Sequence, residues 1–271
     1  MIEINNFSKA YGSTLAVNDL TFAVKSGEIL GLIGRNGAGK TTTMRALSGI
    51  IPCGAGEFLV DGFSLTDAPL ELKRRTAYVA DDPRLFSDLS VEQHLKFQAS
   101  VYGVEKPADE IRKLLDLFEL ESKRHSAAST LSRGMRQKLA ICCAYLQTPT
   151  ALLLDEPMTG LDPHAIRVLK DTIVERAAQG CAVIISSHLL AMVEDICSQI
   201  LILDCGERRF WGSNEEFRQR FAQSENNDSN TLEAAFFSSL TELGQDLAST
   251  VHGTTGSAER HSQNADSITQ Q

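Results

Sequence analysis

The sequence predicts an α/β fold with a mainly parallel sheet, an N-terminal antiparallel β subdomain and an inserted helical subdomain. Strand-like apolar runs dominate residues 2–33, and apolar residues recur at helical spacing between about residues 88 and 147. Strands and helices alternate from residue 151 to residue 203, which is typical of a parallel sheet covered on both faces. The 271 residues include 42% hydrophobic and 23% charged residues, an ordinary composition for a globular protein.

The N-terminal β subdomain is predicted from three apolar runs, at residues 2–4, 20–24 and 29–33. We interpret them as antiparallel strands, because turn-forming residues separate them at 18–19 and 25–28. Further strands are expected at residues 57–60 and 76–80.

A glycine-rich segment with the spacing G-x-x-x-x-G-K-T follows the third run directly. Its glycines allow successive backbone N–H groups to point inward at phosphate oxygens, and the next helix presents a partly positive N-terminus to the same anion. In such a loop Lys40 reaches the β- and γ-phosphates and the Thr41 hydroxyl binds Mg²⁺. The segment predicts a P-loop NTPase core with a nucleoside triphosphate bound by Gly34, Asn36, Gly37, Ala38, Gly39, Lys40, Thr41 and Thr42.

An apolar strand at residues 151–154 ends in two carboxylates, Asp155 and Glu156. A buried strand would place Asp155 beside the phosphate loop, where it can hold Mg²⁺ directly or through water. Glu156 is then placed to orient or deprotonate an attacking water. The alternative is an acidic pair at a solvated strand end, which the upstream phosphate loop makes less favourable.

Three shorter motifs lie at element ends, and each alone would more often be structural. Ser132 and Gly134 stand at a predicted helix start, which is a second possible anion site. Asp162 precedes Pro163, a residue suited to the first position of a helix over residues 163–178. His188 ends a strand at residues 182–185, at the sheet edge where nucleotides bind.

The rest of the chain excludes several classes. No apolar run approaches the roughly 20 residues of a membrane-spanning helix, and the N-terminus has no secretory pattern. The six cysteines lack metal-site spacing, so we expect a reduced cytosolic protein without structural metal. The net charge of −9 argues against a large nucleic-acid surface. After a predicted helix at 189–197 and a strand at 200–203, residues 222–271 are acidic and polar, and we expect them to be largely disordered except for a short helix near 232–237.

Taken together and in this order, the motifs resemble the ATP-binding subunit of an ATP-binding cassette (ABC) transporter. The resemblance covers residues 1 to about 221, the predicted ATPase domain. In that family two cassettes pair head to tail and enclose ATP between the phosphate loop of one subunit and the signature helix of the other.

The resemblance implies a role for each motif. Tyr11 would stack on adenine, and residues 34–42 would hold the phosphates. Ser132 and Gly134 would contact the γ-phosphate bound by the opposite subunit, and Asp162 would act across the dimer. Asp155 would serve Mg²⁺, Glu156 would be the general base and His188 would touch the γ-phosphate.

The chain departs from the family pattern at two motifs. The common signature is L-S-G-G-Q, but this chain has Leu131-Ser132-Arg133-Gly134-Met135, which keeps the Ser and Gly expected to face phosphate. Asp81 stands where the family usually has a Gln that ligates Mg²⁺. A carboxylate can also bind Mg²⁺, but it cannot donate a hydrogen bond. Both features, with Asp82-Pro83 and a Leu-Glu-x-x-Phe stretch at 232–236, resemble the branch that powers two-component exporters of drugs, lipids and polysaccharides.

The leading hypothesis is an ATPase subunit that uses ATP and Mg²⁺, pairs with a second ATP-binding subunit and drives a separate integral-membrane permease. It would be peripheral at the cytoplasmic face of the membrane, with the loop 81–89 and the helical subdomain receiving the permease. Two alternatives stay open: an ATP-gated module acting on ribosomes or DNA, and a nucleotide switch that hardly turns over. We expect no stable nucleic-acid partner, because the chain has one cassette and no basic tail.

Overall fold

A small antiparallel sheet forms from the first part of the chain. In this computed structural model, which describes residues 1–188 and 195–221, the sheet has the order β2-β1-β4-β5. Its strands are β1 (Ile2–Tyr11), β2 (Thr14–Val24), β4 (Ala55–Val60) and β5 (Phe63–Ser64). Ile2, Ile4, Phe7, Phe22 and Phe58 are buried in one hydrophobic cluster with the main sheet. The predicted antiparallel β subdomain is thereby confirmed.

The predicted turn at residues 18–19 is wrong, because these residues lie inside β2. Asp19 has a φ of 47°, and the pairing of β1 with β2 shifts register between Phe7 and Lys9. Asp19 accepts a hydrogen bond from Asn6 (2.9 Å) and donates one from its backbone N–H to Ser8 (2.9 Å). The turn-forming residues therefore form a bulge in a long hairpin rather than its end.

A six-stranded sheet of order β10-β9-β3-β8-β7-β6 is the centre of the fold. It contains β3 (Ile29–Ile33), β6 (Thr76–Val79), β7 (Ala151–Asp155), β8 (Ala182–Ser187), β9 (Gln199–Asp204) and β10 (Glu207–Ser213). Strands β3, β6, β7, β8 and β9 are parallel to one another, and β10 pairs with β9 as an antiparallel edge strand. The mainly parallel α/β core is thus confirmed.

Strand β3 corrects one sequence-based assignment. We predicted Ile29–Ile33 as a third antiparallel strand, but it pairs in parallel with β8 on one side and β9 on the other. All five of its residues are buried. An apolar run without alternation is typical of a strand covered on both faces, as at the centre of a parallel sheet.

Helices α1 and α2 connect strands of the central sheet with strands of the small antiparallel sheet. Helix α1 (Lys40–Leu47) begins directly after the glycine-rich segment, with Gly39 at its N-cap. Helix α2 (Pro69–Arg75) lies between β5 and β6 and begins with proline, which is suited to the first helical position.

The helical insert lies between β6 and β7. It comprises α3 (Val91–Tyr102), α4 (Pro107–Leu117), short 3-10 turns at Glu121–Lys123 and Ala128–Thr130, and α5 (Arg133–Leu146). The Ser90 side chain caps α3, and Gln93 completes a reciprocal capping box. Leu95, Leu115, Phe118 and Tyr145 are buried among these helices.

The last elements are α6 (Pro163–Ala178) and α7 (Asn214–Phe221). The Asp162 side chain caps α6, and Pro163 takes its first position. Residues up to Asn214 form one compact unit, and a second unit begins at Glu215. Most of the predicted helix at 189–197, the predicted tail at 222–271 and the predicted helix at 232–237 lie outside the described residues. Within residues 1–188 and 195–221, no helix is both long and apolar enough to cross a membrane.

Candidate functional site

The carboxyl ends of β3, β7 and β8 bring most of the predicted site residues to one edge of the sheet. Strand β3 leads into the phosphate loop, β7 ends at Asp155, and β8 ends one residue before His188. Because β8 pairs with both β3 and β7, the three segments are neighbours in space although they are far apart in the chain. This is the edge at which parallel α/β sheets bind ligands.

The phosphate loop requires glycine at three positions, for two different reasons. Gly37 and Gly39 have φ values of 84° and 105°, a region that favours glycine. A Cβ atom on Gly39 would also lie 2.7 Å from the Ala16 carbonyl oxygen, and one on Gly34 would overlap the Leu203 carbonyl. The loop is therefore a tight backbone turn against β2 and β9, with no space for a Cβ atom at Gly34 or Gly39.

Lys40 points back into this loop. Its ammonium donates hydrogen bonds to the carbonyl oxygens of Gly34 (2.7 Å) and Arg35 (3.2 Å), and the residue is only 6% exposed. Burial lowers the pKa of Lys40, whereas the charges of Glu156 and Asp155 oppose this decrease. The cation is held inside the curl of the loop, where an anionic phosphate would find an already oriented donor.

Asp155 is a buried carboxylate whose two oxygens both accept hydrogen bonds. Oδ1 accepts from Thr41 Oγ1 (3.2 Å) and Ser186 Oγ (2.5 Å), and Oδ2 accepts from the Tyr78 hydroxyl (3.1 Å). The adjacent Thr41 hydroxyl and Asp155 carboxylate are hard oxygen donors, and this donor set fits Mg²⁺. The two residues come from the phosphate loop and from β7, as the sequence predicted.

Glu156 has an unusual backbone conformation, with a φ of 48°. Its N–H donates to both the carbonyl oxygen (3.2 Å) and the hydroxyl oxygen (3.0 Å) of Ser186. A non-glycine residue in this region costs roughly 1–3 kcal/mol and persists where its surroundings impose it. Here the double hydrogen bond to β8 turns the Glu156 side chain away from the strand direction.

The Glu156 side chain contacts His188. Glu156 Oε2 lies 2.8 Å from His188 Nδ1, and an ionised carboxylate can only accept, so Nδ1 carries the proton of this bond. The Glu156 side chain is 16% exposed and the His188 side chain 53% exposed. A partly desolvated carboxylate oriented by an imidazole is a suitable arrangement for a general base.

Ser132, Gly134 and Asp162 lie in a second cluster. The Ser132 side chain caps α5 by accepting from Met135 N–H. A Cβ atom on Gly134 would lie 2.5 Å from the Gly160 carbonyl oxygen, so α5 begins in close contact with the segment before α6. Asp162 bridges the same two elements, with Oδ2 3.2 Å from Lys138 Nζ. The backbone hydrogen bond from Ala165 and the bond from Lys138 lower the pKa of Asp162.

Two of the positions that depart from the family pattern, Asp81 and Arg133, contact each other. Arg133 Nη2 lies 2.8 Å from Asp81 Oδ1, and both side chains are 48% exposed. This ion pair joins the loop after β6 to the start of α5. Within the described residues, the side-chain bonds of the predicted signature segment and of Asp162 go to α5, to α6 and to this loop, and none of them reaches Lys40, Asp155 or Glu156.

Tyr11 lies at the end of β1 with 51% of its surface exposed. Lys9 Nζ is 5.7 Å from the centre of its ring. An exposed aromatic ring is available for stacking on a base. Its predicted role as the adenine platform stays a prediction.

Sequence reasoning missed two residues of the site, Tyr78 and Ser186. Both lie in strands that flank β7, where Tyr78 pairs with Leu153 and Ser186 pairs with Asp155. Ser186 is only two residues before His188, so its position at the strand end was a usable signal. Tyr78 offered no such signal, because its contact depends on the strand order of the sheet.

A groove of about 570 Å³ opens between the sheet and the helical insert. It is lined by β6, the loop that follows it, α1, α3 and α5. The rings of Phe86 and Phe97 meet edge to face at 5.7 Å and are 59% and 49% exposed. The buried His94 holds the loop, since its Nε2 accepts from Phe86 N–H (3.0 Å).

Comparison with known proteins agrees with these findings. Residues 17–159 match the family described as ABC transporter. The chain is 32% identical over 227 residues to the ABC-type transporter ATP-binding protein EcsA of Bacillus subtilis, which spans 83% of this chain and 92% of that protein. It is 33% identical to the probable multidrug ABC transporter ATP-binding protein YbhF of Escherichia coli, covering 87% of this chain and 41% of YbhF.

Two solved structures resemble the fold. The ATP-binding subunit of an ABC transporter superposes with a TM-score of 0.82 at 33% identity, covering 89% of this chain and 99% of that one. A dimeric, post-hydrolysis ATP-binding cassette bound to ADP and phosphate superposes with a TM-score of 0.71 at 22% identity, covering 79% and 99%. The phosphate loop, the paired carboxylates and these matches together show that the chain belongs to the ABC transporter family and carries its ATPase domain.

Proposed function

We propose that this chain is the ATP-hydrolysing subunit of an exporter, that two copies enclose two ATP molecules, and that a separate membrane permease docks on each copy. One observation carries the proposal: the Lys40–Asp155–Glu156 cluster and the Ser132–Gly134–Asp162 cluster make their contacts separately. A subunit that carries both clusters apart from each other is suited to pairing head to tail with a second copy. The relative YbhF, which is named as a probable multidrug ABC transporter ATP-binding protein, supports the export direction.

In this proposal the residues of the phosphate loop bind the nucleotide. The backbone of residues 34–39 and the helix N-terminus of α1 hold the β- and γ-phosphates, and Lys40 exchanges its bonds to Gly34 and Arg35 for phosphate oxygens. Asn36 lies within the loop and Thr42 in the first turn of α1, and both belong to this binding segment. Tyr11 stacks on the adenine. Mg²⁺, held by Thr41 and Asp155, would supply charge neutralisation at the phosphates.

Hydrolysis is assigned to Glu156 and His188. Glu156 accepts a proton from the attacking water, and its backbone bonds to Ser186 fix the direction of its carboxylate. His188 holds Oε2 of that carboxylate and lies where its second ring nitrogen could face the γ-phosphate. Ser132 and Gly134 of a second copy close the site with a helix N-terminus, and Asp162 joins the two copies near the α5–α6 contact.

Asp81 is the third proposed Mg²⁺ ligand, and it can act only if it releases Arg133. Replacing Arg133 with Gln frees the carboxylate, so the Mg²⁺ concentration for half-maximal ATPase should fall about two- to fivefold, the range of an exposed ion pair. Asp81→Asn should raise that concentration, because the amide supplies no charge. Both are measured by Mg²⁺ titration at fixed ATP. If neither variant shifts the titration, Asp81 is not a ligand.

The permease is proposed to dock in the groove between the sheet and the helical insert. The exposed Phe86 and Phe97 rings at its mouth are apolar surface beside the loop 81–89. That loop begins at the carboxyl end of β6, at the same sheet edge as Asp155. An apolar side chain from a membrane partner could bury both rings. The chain would then be peripheral at the cytoplasmic face of the membrane through this contact.

Purification of the tagged chain from detergent-solubilised membranes tests the docking. We expect a partner with several transmembrane helices to accompany the wild-type chain and to be lost with Phe86→Asp, which places a charge in the apolar contact. Leu70→Asp is the matched control, because Leu70 is 72% exposed and lies on α2 outside the groove lining. A partner without transmembrane helices, or ribosomes or DNA at physiological salt, would contradict the proposal.

A further inference from the structure

We propose that Tyr78 is a positioning residue for the Asp155 carboxylate and that Arg45 sets its position from within the groove. The inference rests on the proposed role of Asp155 as a Mg²⁺ ligand. It adds a physical connection between that ligand and the surface on which a partner is proposed to dock.

The first observation is how the Asp155 carboxylate is held. Thr41 and Ser186 both donate to Oδ1, so the Tyr78 hydroxyl, 3.1 Å from Oδ2, fixes the other oxygen. A carboxylate with one free oxygen can rotate about its terminal torsion, which is broad for Asp. The hydrogen bond from Tyr78 therefore fixes the orientation of Asp155 Oδ2.

The second observation is the location of Tyr78 between the site and the groove. Its side chain contributes to the groove lining together with Arg45, while its hydroxyl contacts Asp155. The Arg45 guanidinium lies beside Tyr78 in this lining, and a tyrosine phenol donates a hydrogen bond in its neutral form. Tyr78 is thus a neutral donor, held between a cation that faces the groove and an anion that faces the nucleotide.

The contacts suggest how a partner bound in the groove acts on Asp155, through Arg45 and then Tyr78. Arg45 is exposed, whereas Thr43 and Met44, which precede it in α1, are buried. An acidic or carbonyl group of a partner in the groove could therefore draw the Arg45 guanidinium away from Tyr78. The Tyr78 hydroxyl would then lose the Arg45 guanidinium on its groove side, and its hydrogen bond to Asp155 would be its remaining contact of these two. Orienting partners of metal ligands typically affect metal affinity by about 10- to 100-fold when they are removed.

The test is a Mg²⁺ titration of ATP affinity in the isolated chain, with binding followed by displacement of a fluorescent nucleotide. Tyr78→Phe should raise the half-saturating Mg²⁺ concentration about tenfold, while ATP affinity in excess EDTA stays unchanged. A structural defect would lower affinity in both conditions. Tyr102→Phe is the control, since Tyr102 lines the same groove without contacting Asp155 within the described residues.

Arg45 is tested by a double-mutant cycle. Arg45→Gln should shift the Mg²⁺ dependence in the same direction as Tyr78→Phe, and the double variant should shift it no further, because both act through one hydroxyl. Arg45→Lys should restore part of the effect. Independent, additive shifts, or no shift in Arg45→Gln, would overturn the role of Arg45.

Asp155→Asn separates this inference from the site assignment on which it rests. If Asp155→Asn leaves the Mg²⁺ dependence unchanged, the proposed metal role of Asp155 fails. If Asp155→Asn shifts it strongly and Tyr78→Phe does not, only the positioning role of Tyr78 is overturned.

Discussion

Glu156→Gln should lower the steady-state ATPase rate by about two to four orders of magnitude, the usual contribution of a general base. Glutamine has nearly the same size and can still contact His188, but it cannot take a proton from water. The backbone bonds to Ser186 do not involve the side chain, so the positive-φ conformation of residue 156 should be retained. ATP binding should therefore change little.

Glu156→Gln should accumulate as ATP-bound dimers, because ATP hydrolysis, the step that would separate the two subunits, is blocked. Gel filtration with Mg²⁺ and ATP should show the dimer for Glu156→Gln and mainly the monomer without nucleotide. Glu175→Gln is the matched control, since it makes the same chemical change on the surface of α6 and should behave as the wild type. An ATPase rate equal to that of the wild type would show that Glu156 is not the base and would favour a slow nucleotide switch.

Two variants should each abolish turnover by disabling a different half of the site. Lys40→Ala removes the buried ammonium that lies inside the phosphate loop, and losing its charged hydrogen bonds should weaken ATP binding by about 100-fold. Ser132→Arg leaves the phosphate loop intact but places a long cation at the exposed start of α5, where a second copy would have to approach. It should bind ATP with unchanged affinity and hydrolyse it at least about 100-fold more slowly.

Ser132→Arg also removes the cap of α5, so folding has to be measured separately. Loss of a side-chain cap costs about 1 kcal/mol, and a modest decrease in melting temperature is expected. Normal ATP affinity in the same preparation shows that the loss of turnover is not loss of fold. Reduced affinity in Ser132→Arg would indicate that the signature residues act on the ATP of their own subunit.

The fold class was predictable because the motifs and the strands reinforce each other. The glycine-rich segment follows an apolar run directly, and Asp155 and Glu156 follow another, so both motifs had to lie at the carboxyl ends of strands. Parallel strands place those ends at one edge. The helical insert was predictable from Ser90 and from the spacing of Ile111, Leu114 and Leu115.

Features that depend on strand order were not predictable. The sheet order places β3 between β8 and β9, which is why Ile29–Ile33 was wrongly grouped with its neighbours in the chain. Asn18–Asp19 has turn chemistry, but the long hairpin continues past it because Leu20 and Phe22 are buried. Local sequence does not reveal whether such residues end a strand or form a bulge.

Side-chain contacts between distant segments were equally hidden. Asp81 and Arg133 are 52 residues apart, and the sequence showed two separate departures from the family pattern rather than one ion pair. Tyr78 reaches Asp155 only because β6 pairs with β7. The proposed roles of Asp81 and Tyr78 depend on these contacts, so they could not be derived from the sequence.

Each ATP site is proposed to consist of parts of two subunits, and a mixture of the two inactive variants tests this arrangement. A dimer of one Lys40→Ala subunit and one Ser132→Arg subunit has one site in which the intact phosphate loop faces an intact signature segment. The mixture should recover ATPase activity, up to roughly one quarter of the wild-type rate for random pairing in a twofold dimer. Activity of the mixture no higher than that of either variant alone would contradict it.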